Sequence, residues 1–285
     1  CVTDLYELFI NETFNERFNE KTTSRDENIN KMVKESRIRN YGKAAAETLF
    51  GKKLLPIYIN NDKFFKDLAA EGDQFGFISE ITEDLQQALF IHHTFAEYFA
   101  AMYFSSQIDR FKDFLKDIIF EEKYLNVRFF FDMLLAKNSP AHLATLNANL
   151  EDLEDCDINS KDSGGRNILQ IASSWGGRFP ILNVEKENGG YVIDDENVPC
   201  FENESPEYRL MLEYILNILD EGIIEERNDL FELTCLDYAE RCSCIYAIAM
   251  IGKTQHTLTL RSEDYKFHAS LLYYSVLLGH DGVIY

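Results

Sequence analysis

Two adjacent histidines, His92 and His93, stand four to six residues ahead of Glu97 and Tyr98 in this 285-residue chain. An imidazole can donate to a phosphate oxygen or exchange a proton near neutral pH. Glu97 beside the Tyr98 phenol is the pairing a hydrolase would use. At helical spacing, however, Glu97 reaches His93 or Ala101, which makes a helix-surface or capping role the plainer expectation. Nothing else supports catalysis. No serine stands in G-x-S-x-G and no histidine in H-E-x-x-H. The Gly-Lys pairs Gly42-Lys43, Gly51-Lys52 and Gly252-Lys253 lack the leading glycine or the following Ser/Thr of a phosphate loop. No acidic cluster ends an apolar strand to hold magnesium. The expectation is a chain with no catalytic residue.

The cysteines are Cys1, Cys156, Cys200, Cys235, Cys242 and Cys244. None forms a C-x-x-C pair, and they are too sparse for a disulfide framework. Cys242 and Cys244 with His256 make a zinc set conceivable, but the spacing matches no common ligand pattern. Buried free thiols in a reducing cytosol, and no metal, are expected.

A net charge of −21 argues against general binding to nucleic acid or an anionic membrane, both of which need positive charge facing phosphate. With 46% hydrophobic residues there is enough apolar matter for a core, and with only 14 Gly and 5 Pro a turn-rich β-sandwich is excluded. No basic-then-apolar leader opens the chain and no apolar stretch is long enough to span a bilayer, which points to the cytoplasm. Cys1 at the start and the apolar run to Tyr285 suggest a piece of a longer polypeptide.

The spacing predicts a helix over 4–20 with Leu5, Phe9, Ile10, Phe14 and Phe18 on one stripe. A polar loop over 21–31 follows, then a helix over 43–50 ended by Gly51. Leu54–Ile59 reads as a short edge strand, and Asp62 as the cap of a helix through Phe64, Phe65 and Leu68. Two short apolar runs, 75–81 and 88–95, predict a hairpin, and 94–105 a strong helix. Residues 107–136 read as helical throughout, and 140–150 as one more short helix. The acid-rich stretch 178–206, broken by Pro and Gly, reads as an insertion. A helix over 207–220 should turn Leu210, Tyr214, Ile215 and Leu219 inward.

Helices followed by a hairpin and one more helix outline a winged helix. Residues 90–104, FIHHTFAEYFAAMYF, resemble the F-I-H-x-T-F-x-E-[FY]-F-A-A-x-Y segment of NACHT-type STAND NTPases, the NOD-like receptor group. Phe90, Ile91, His92, Thr94, Phe95, Glu97, Tyr98, Phe99, Ala100, Ala101 and Tyr103 all fall in place. From 157 the texture resembles ankyrin repeats, whose template is a turn, T-P-L-H-x-A, and a helix ended by Gly. It is met at 157–176, at 228–239 and at 270–284. The alanine-equivalent positions Ala172, Ala239 and Ser275 step by 67 and 36, so that one repeat of about 33 fits the last step and two fit the first.

The expected fold is therefore mainly α: a winged-helix-like domain over 1–105, a helical connector over 106–152, and degenerate ankyrin repeats, an α-solenoid, over 153–285. The resemblance implies the regulatory and protein-binding portion of a nucleotide-switched signalling scaffold, packing on an upstream NTPase domain that would hold ATP or ADP with magnesium. It implies no cofactor within these residues. His92 matches the family histidine that lies against bound ADP and helps latch the closed state. Leu169, Ile171, Ala172, Leu236, Tyr238, Ala239, Leu272 and Leu278 match core positions. Partner contacts would come from turn tips such as Lys161-Asp162-Ser163 and Asp229-Leu230-Phe231. Two alternatives stand beside this: a plain ankyrin adaptor with no nucleotide link, and a winged-helix DNA-binding regulator using Lys31, Lys34, Arg37, Arg39, Lys43, Lys52 and Lys53. A solvated helix face is the ordinary reading of that basic run.

Overall fold

A computed structural model describes residues 2–21, 27–54, 64–65, 68–69, 75–82, 87–175, 184–187, 190–193 and 206–254. The protein is mainly helical and divides into two units, Cys1–Leu134 and Leu135–Tyr285. The stretch 106–152 expected as a connector is shared between them. Of the strand expected over Leu54–Ile59, Leu54 ends a helix instead, and 55–59, the repeat expected at 270–284 and His256 lie outside the described residues.

The first unit opens with α1 (Val2–Lys21) and α2 (Glu27–Leu54). Ile10 and Phe14 of α1 are buried, but Leu5 and Phe9 are 65% and 50% exposed, so the expected single stripe is only half inward. Tyr6 lies between these faces and stacks on Tyr98 at 5.0 Å. Helix α2 starts sixteen residues before 43 and runs through much of the expected loop. Residues 27–40 contain no Gly or Pro and are rich in Lys, Arg and Glu, which cost a helix little. The packed half of the helix, with Tyr41, Ala44, Ala45, Ala46 and Phe50 buried, carries this polar half as an extension. Gly51 interrupts the helix at φ 67°, where the sequence placed its end.

Strands β1 (Ile78–Thr82) and β2 (Gln87–Phe90) pair antiparallel, Ile78 with Phe90 and Thr82 with Gln87, with an irregularity between Ile78 and Glu80. The ring of Phe77, just before β1, is the hub of the unit. It meets Phe14, Tyr41, Phe95 and Phe99 at 6.2, 5.5, 5.5 and 5.3 Å. Helix α3 (His93–Ser105) is buried on nearly every side, from Ala96 to Ala101 and at Tyr103 and Phe104. The run 107–136 is split. Helix α4 (Ile108–Ile118) buries Phe111, Leu115 and Ile118, a 3-10 turn follows at Glu122–Tyr124, and α5 (Leu125–Ala136) begins there.

Among the described residues the second unit stacks three helix pairs, each led by a tight turn. They are α6 (Pro140–Leu146) with α7 (Leu150–Glu154), α8 (Ile168–Trp175) with α9 (Pro206–Ile218), and α10 (Cys235–Arg241) with α11 (Ile245–Thr254). Among the described residues the 67-residue step from Ala172 to Ala239 holds one pair, where two repeats were expected. Its extra length falls between α8 and α9, where β3 (Val184–Glu187) and β4 (Gly190–Ile193) form an antiparallel hairpin. Asn147–Asn149 and Cys242–Cys244 are the three-residue joints of the other pairs. In each joint the middle residue is left-handed, Ala148 at φ 51° and Ser243 at φ 54°. Asn149 and Cys244 then donate back to the carbonyls of Ala144 and Ala239 at 2.9 and 2.8 Å, closing both helices alike. Leu210 of α9 is 53% exposed, against expectation; Met211, Leu212 and Ile215 are the buried side chains.

Among the described glycines of the first unit, Gly42 has the least room for a side chain. A Cβ there would lie 2.7 Å from Tyr103 Cβ and 3.0 Å from the Phe99 carbonyl oxygen. Alanine is the better helix former by about 1 kcal/mol, but overpacking costs roughly 1–3 kcal/mol. Gly42→Ala should therefore speed hydrogen exchange of the α2 and α3 amides, while Gly222→Ala, with open space at its Cβ, should not. Slower exchange in Gly42→Ala would mean that the two helices do not touch at this residue.

Candidate functional site

The hairpin and α3 meet at His92, which is exposed and caps the helix. The His92 backbone is extended, and its Nδ1 accepts from the Thr94 N–H at 3.3 Å. The Thr94 hydroxyl accepts the Tyr6 phenol at 2.7 Å and lies 2.8 Å from the same Nδ1. With Tyr6 donating to Thr94, the threonine proton is directed to Nδ1. The network thus assigns the proton of the neutral ring to Nε2. His92 does not end a strand, since β2 stops at Phe90. It is a cap whose second nitrogen is left as a donor.

His93 is also exposed, and its Nε2 lies 3.5 Å from Glu97 Oε1. Glu97 is buried, and both its oxygens accept from Asn126 Nδ2, at 3.1 and 3.2 Å. The carboxylate ties α3 to α5, a structural task consistent with its helical spacing.

In the second unit one bond recurs. Ser139, Asn167 and Thr234 each stand just ahead of the first helix of a pair. Three residues later come His142, Gln170 and Asp237. Ser139 Oγ lies 2.6 Å from His142 Nδ1, Asn167 and Gln170 exchange backbone-to-side-chain bonds, and Thr234 and Asp237 form a capping box. His142 Nε2 then donates at 2.8 Å to the carbonyl of Arg166, the residue before Asn167. Gln170 Nε2 donates at 3.0 Å to the carbonyl of Leu233, the residue before Thr234. Each helix pair thus holds the turn of the next at the same place.

The turns repeat as well. Asp162 and Asn228 donate their N–H to those same carbonyls, at 3.1 and 3.2 Å. Their side chains accept from the turn, Asp162 Oδ1 from Gly164 N at 2.9 Å and Asn228 Oδ1 from Phe231 N at 2.7 Å. Gly165 at φ 68° and Glu232 at φ 55° take the left-handed position. Leu230 N donates to the Gly164 carbonyl at 3.1 Å, joining one turn to its neighbour.

These bonds correct the expected partner surface. Asp162 is buried in an ion pair, Arg166 Nη2 and Nε both 2.7 Å from its Oδ2. Leu230 and Phe231 are buried too. Lys161, Ser163 and Asp229 remain exposed at the tips. Of the expected core positions, Leu169, Ile171, Ala172, Tyr238 and Ala239 are buried. Leu236 is half-buried, its inward place taken by Cys235. Leu272 and Leu278 lie outside the described residues.

A single helix was expected over 140–150; the structure has α6 and α7 there, and Ser139 pairs with His142 as the later caps pair with their partners. In Ser139-Pro140-Ala141-His142-Leu143-Ala144, Pro140, His142 and Ala144 match the T-P-L-H-x-A template and Ser139 stands for its threonine. Ala144 to Ala172 is 28 residues, short of the usual period, because α7 is a single short turn.

Among the described residues no group of His, Cys, Asp and Glu could hold a metal ion, and no helix is long and apolar enough to cross a membrane. Cys235, Cys242 and Cys244 are buried thiols in no disulfide, and burial pushes the Cys235 thiol up to about 12. No family model matches the chain, and neither does any curated protein or solved structure.

Burial holds the His142 imidazole below its ordinary value of 6.5, against the opposing pull of Asp162. The folded chain therefore binds fewer protons than the unfolded chain at mildly acid pH. The stability this site contributes is present in full above 6.5 and is lost as pH falls through the interval between 6.5 and the lower folded value. For Asp162, burial pushes the carboxyl up, but the charges of Arg166 and His142 and the hydrogen bonds from Arg166 together outweigh it, and the net lowering acts only below 3.8. Urea midpoints read from Trp175, the only tryptophan, should thus fall between about pH 7.5 and about pH 5.5. His142→Gln, which copies Gln170, should flatten that slope, and His142→Ala should cost about 2–4 kcal/mol. An unchanged slope in His142→Gln would assign it to another group.

Proposed function

We propose that this chain is the regulatory and protein-binding portion of a nucleotide-switched scaffold of the NACHT-type STAND group, with a winged-helix-like first unit and a degenerate ankyrin array as the second. The observation that carries the reading is the bond from the fourth residue of one turn to the carbonyl ahead of the next, made by His142 and repeated by Gln170. A solenoid of this kind recognises proteins through its turn tips and inner helices. Lys161, Ser163 and Asp229 are the exposed tip residues here. The same bond serves the plain adaptor equally. What favours a nucleotide link is His92, whose Nε2 is left as a donor by the cap made at Nδ1. That is the chemistry needed to meet a phosphate oxygen on a neighbouring lobe.

Two outcomes are expected. The chain alone should not turn over ATP or GTP, since it has neither a phosphate cradle nor magnesium acids. Turnover abolished by a substitution within 1–285 would overturn the domain reading. In a polypeptide joining this chain to a NACHT lobe, His92→Ala should weaken ADP about tenfold, the worth of one hydrogen bond to a charged group. It should also raise the oligomeric fraction, because ADP would no longer favour the closed state as strongly. His93→Ala should do neither. Equal ADP affinity and oligomer size in the two variants would make His92 a helix cap only and favour the adaptor.

A further inference from the structure

Helices α1 and α2 each leave a set of apolar side chains exposed. On α1 they are Leu5, Leu8 and Phe9, and on α2 Ile29, Met32 and Val33. Both sets have the same spacing, i, i+3 and i+4, so each covers one face of its helix. Leu8 is 57% and Met32 70% exposed. Within one chain the two helices meet through other residues. Lys34 Nζ donates to Asn11 Oδ1 and lies 5.9 Å from the centre of the buried Phe14 ring. The charges around the two sets are opposite. Helix α1 carries five Asp and Glu against two Lys and Arg, and α2 carries seven Lys and Arg against three Glu. Glu12 and Glu16, the next turns on from the α1 set, are exposed. So are Lys31 beside Met32, and Arg39 two turns on from Met32 along the same face. None of these four makes an ion pair among the described residues.

We propose that these two faces fit each other in different molecules, α1 of one copy of this chain docking on α2 of a second copy. Apolar residues scattered singly over a surface are ordinary, but these form two sets of matching spacing and opposite charge. The charges also choose the direction. Laid side by side in the same direction, Leu5, Leu8 and Phe9 come level with Ile29, Met32 and Val33, and Glu12 and Glu16 come level with Ser36 and Asn40, beside Arg39. Reversed, Phe9 comes level with Ile29 and both acids lie beyond the start of α2 at Glu27. The apolar sets supply the attraction, and the charges fix register and partner. Neither face can meet its own copy without setting like charge on like, which is a penalty against the wrong pairing. Because the two faces differ, the contact is head-to-tail unless two molecules reciprocate it. Its small extent makes it a transient association that grows with concentration. It needs no nucleotide and does not depend on the His92 reading.

The test is sedimentation of the whole chain over a range of micromolar concentrations, at low and at moderate salt. A mass that rises with concentration and falls with salt is expected. Leu8→Ser and Met32→Ser should each weaken association about tenfold. Leu210→Ser, at an exposed leucine of α9, should leave it unchanged. Reversing the acids (Glu12→Lys with Glu16→Lys) or the cations (Lys31→Glu with Arg39→Glu) should weaken it about tenfold as well. The two charge-reversed proteins mixed in equal amounts should associate again, since the altered α1 of one then meets the altered α2 of the other. A chain that stays monomeric, a loss in Leu210→Ser equal to that in Leu8→Ser, or association that the mixture does not restore overturns the contact. Capture of an added NACHT lobe by a monomeric chain, lost in Leu8→Ser, overturns it too and gives the face to that lobe.

Discussion

A backbone carbonyl shut away from water needs a donor, and leaving one unmet costs about 1–3 kcal/mol. The second unit is organised around that requirement at Arg166 and Leu233. Each carbonyl accepts from the N–H of its own turn and from a side chain of the preceding helix pair. Neither the turn nor the donor is complete without its neighbour. The residue types vary, serine, asparagine and threonine at the cap, histidine and glutamine as the donors, but the geometry is kept. What is preserved between the turns is a supply of hydrogen-bond donors and acceptors, and this is why the repeat is degenerate in letters yet regular in bonds.

The first unit answers a different constraint, the packing of large rings. Phe77 lies where α1, α2 and α3 come together, and T-shaped or tilted neighbours surround it. Aromatic rings favour such edge contacts. They position the end of the hairpin and the first turn of α3, and thus the Tyr6–Thr94–His92 chain of hydrogen bonds that fixes the imidazole.

What could be read in the sequence was what local pattern decides. The apolar density of 94–105 foretold α3, the two short apolar runs foretold the hairpin, and Gly51 marked the break in α2. The cap role of His92 was hidden because histidine is an uncommon cap and its strand-like flank suggested another place. Helix over 27–40 carries only a short apolar stripe, Ile29, Met32 and Val33, which is left exposed, and it depends on propensity and on the packed turns that follow. Leu210 and Leu236 fail because helical spacing gives a stripe but not its rotation, and tertiary packing chose Met211 and Cys235 instead. The 67-residue step was ambiguous because length alone does not say whether added chain forms a new helix pair or enlarges an old joint.

That joint changes how the array can vary. In the middle pair, thirty residues separate Trp175 from Pro206, where the other pairs use three. The entropy of closing a loop grows only with the logarithm of its length, about 0.6 kcal/mol for each doubling. Among the described residues the ladder of donors runs through the turns on either side of this joint. The chain therefore has a point at which its genetic text can be lengthened, shortened or exchanged for a foreign module while the stack on both sides keeps its register.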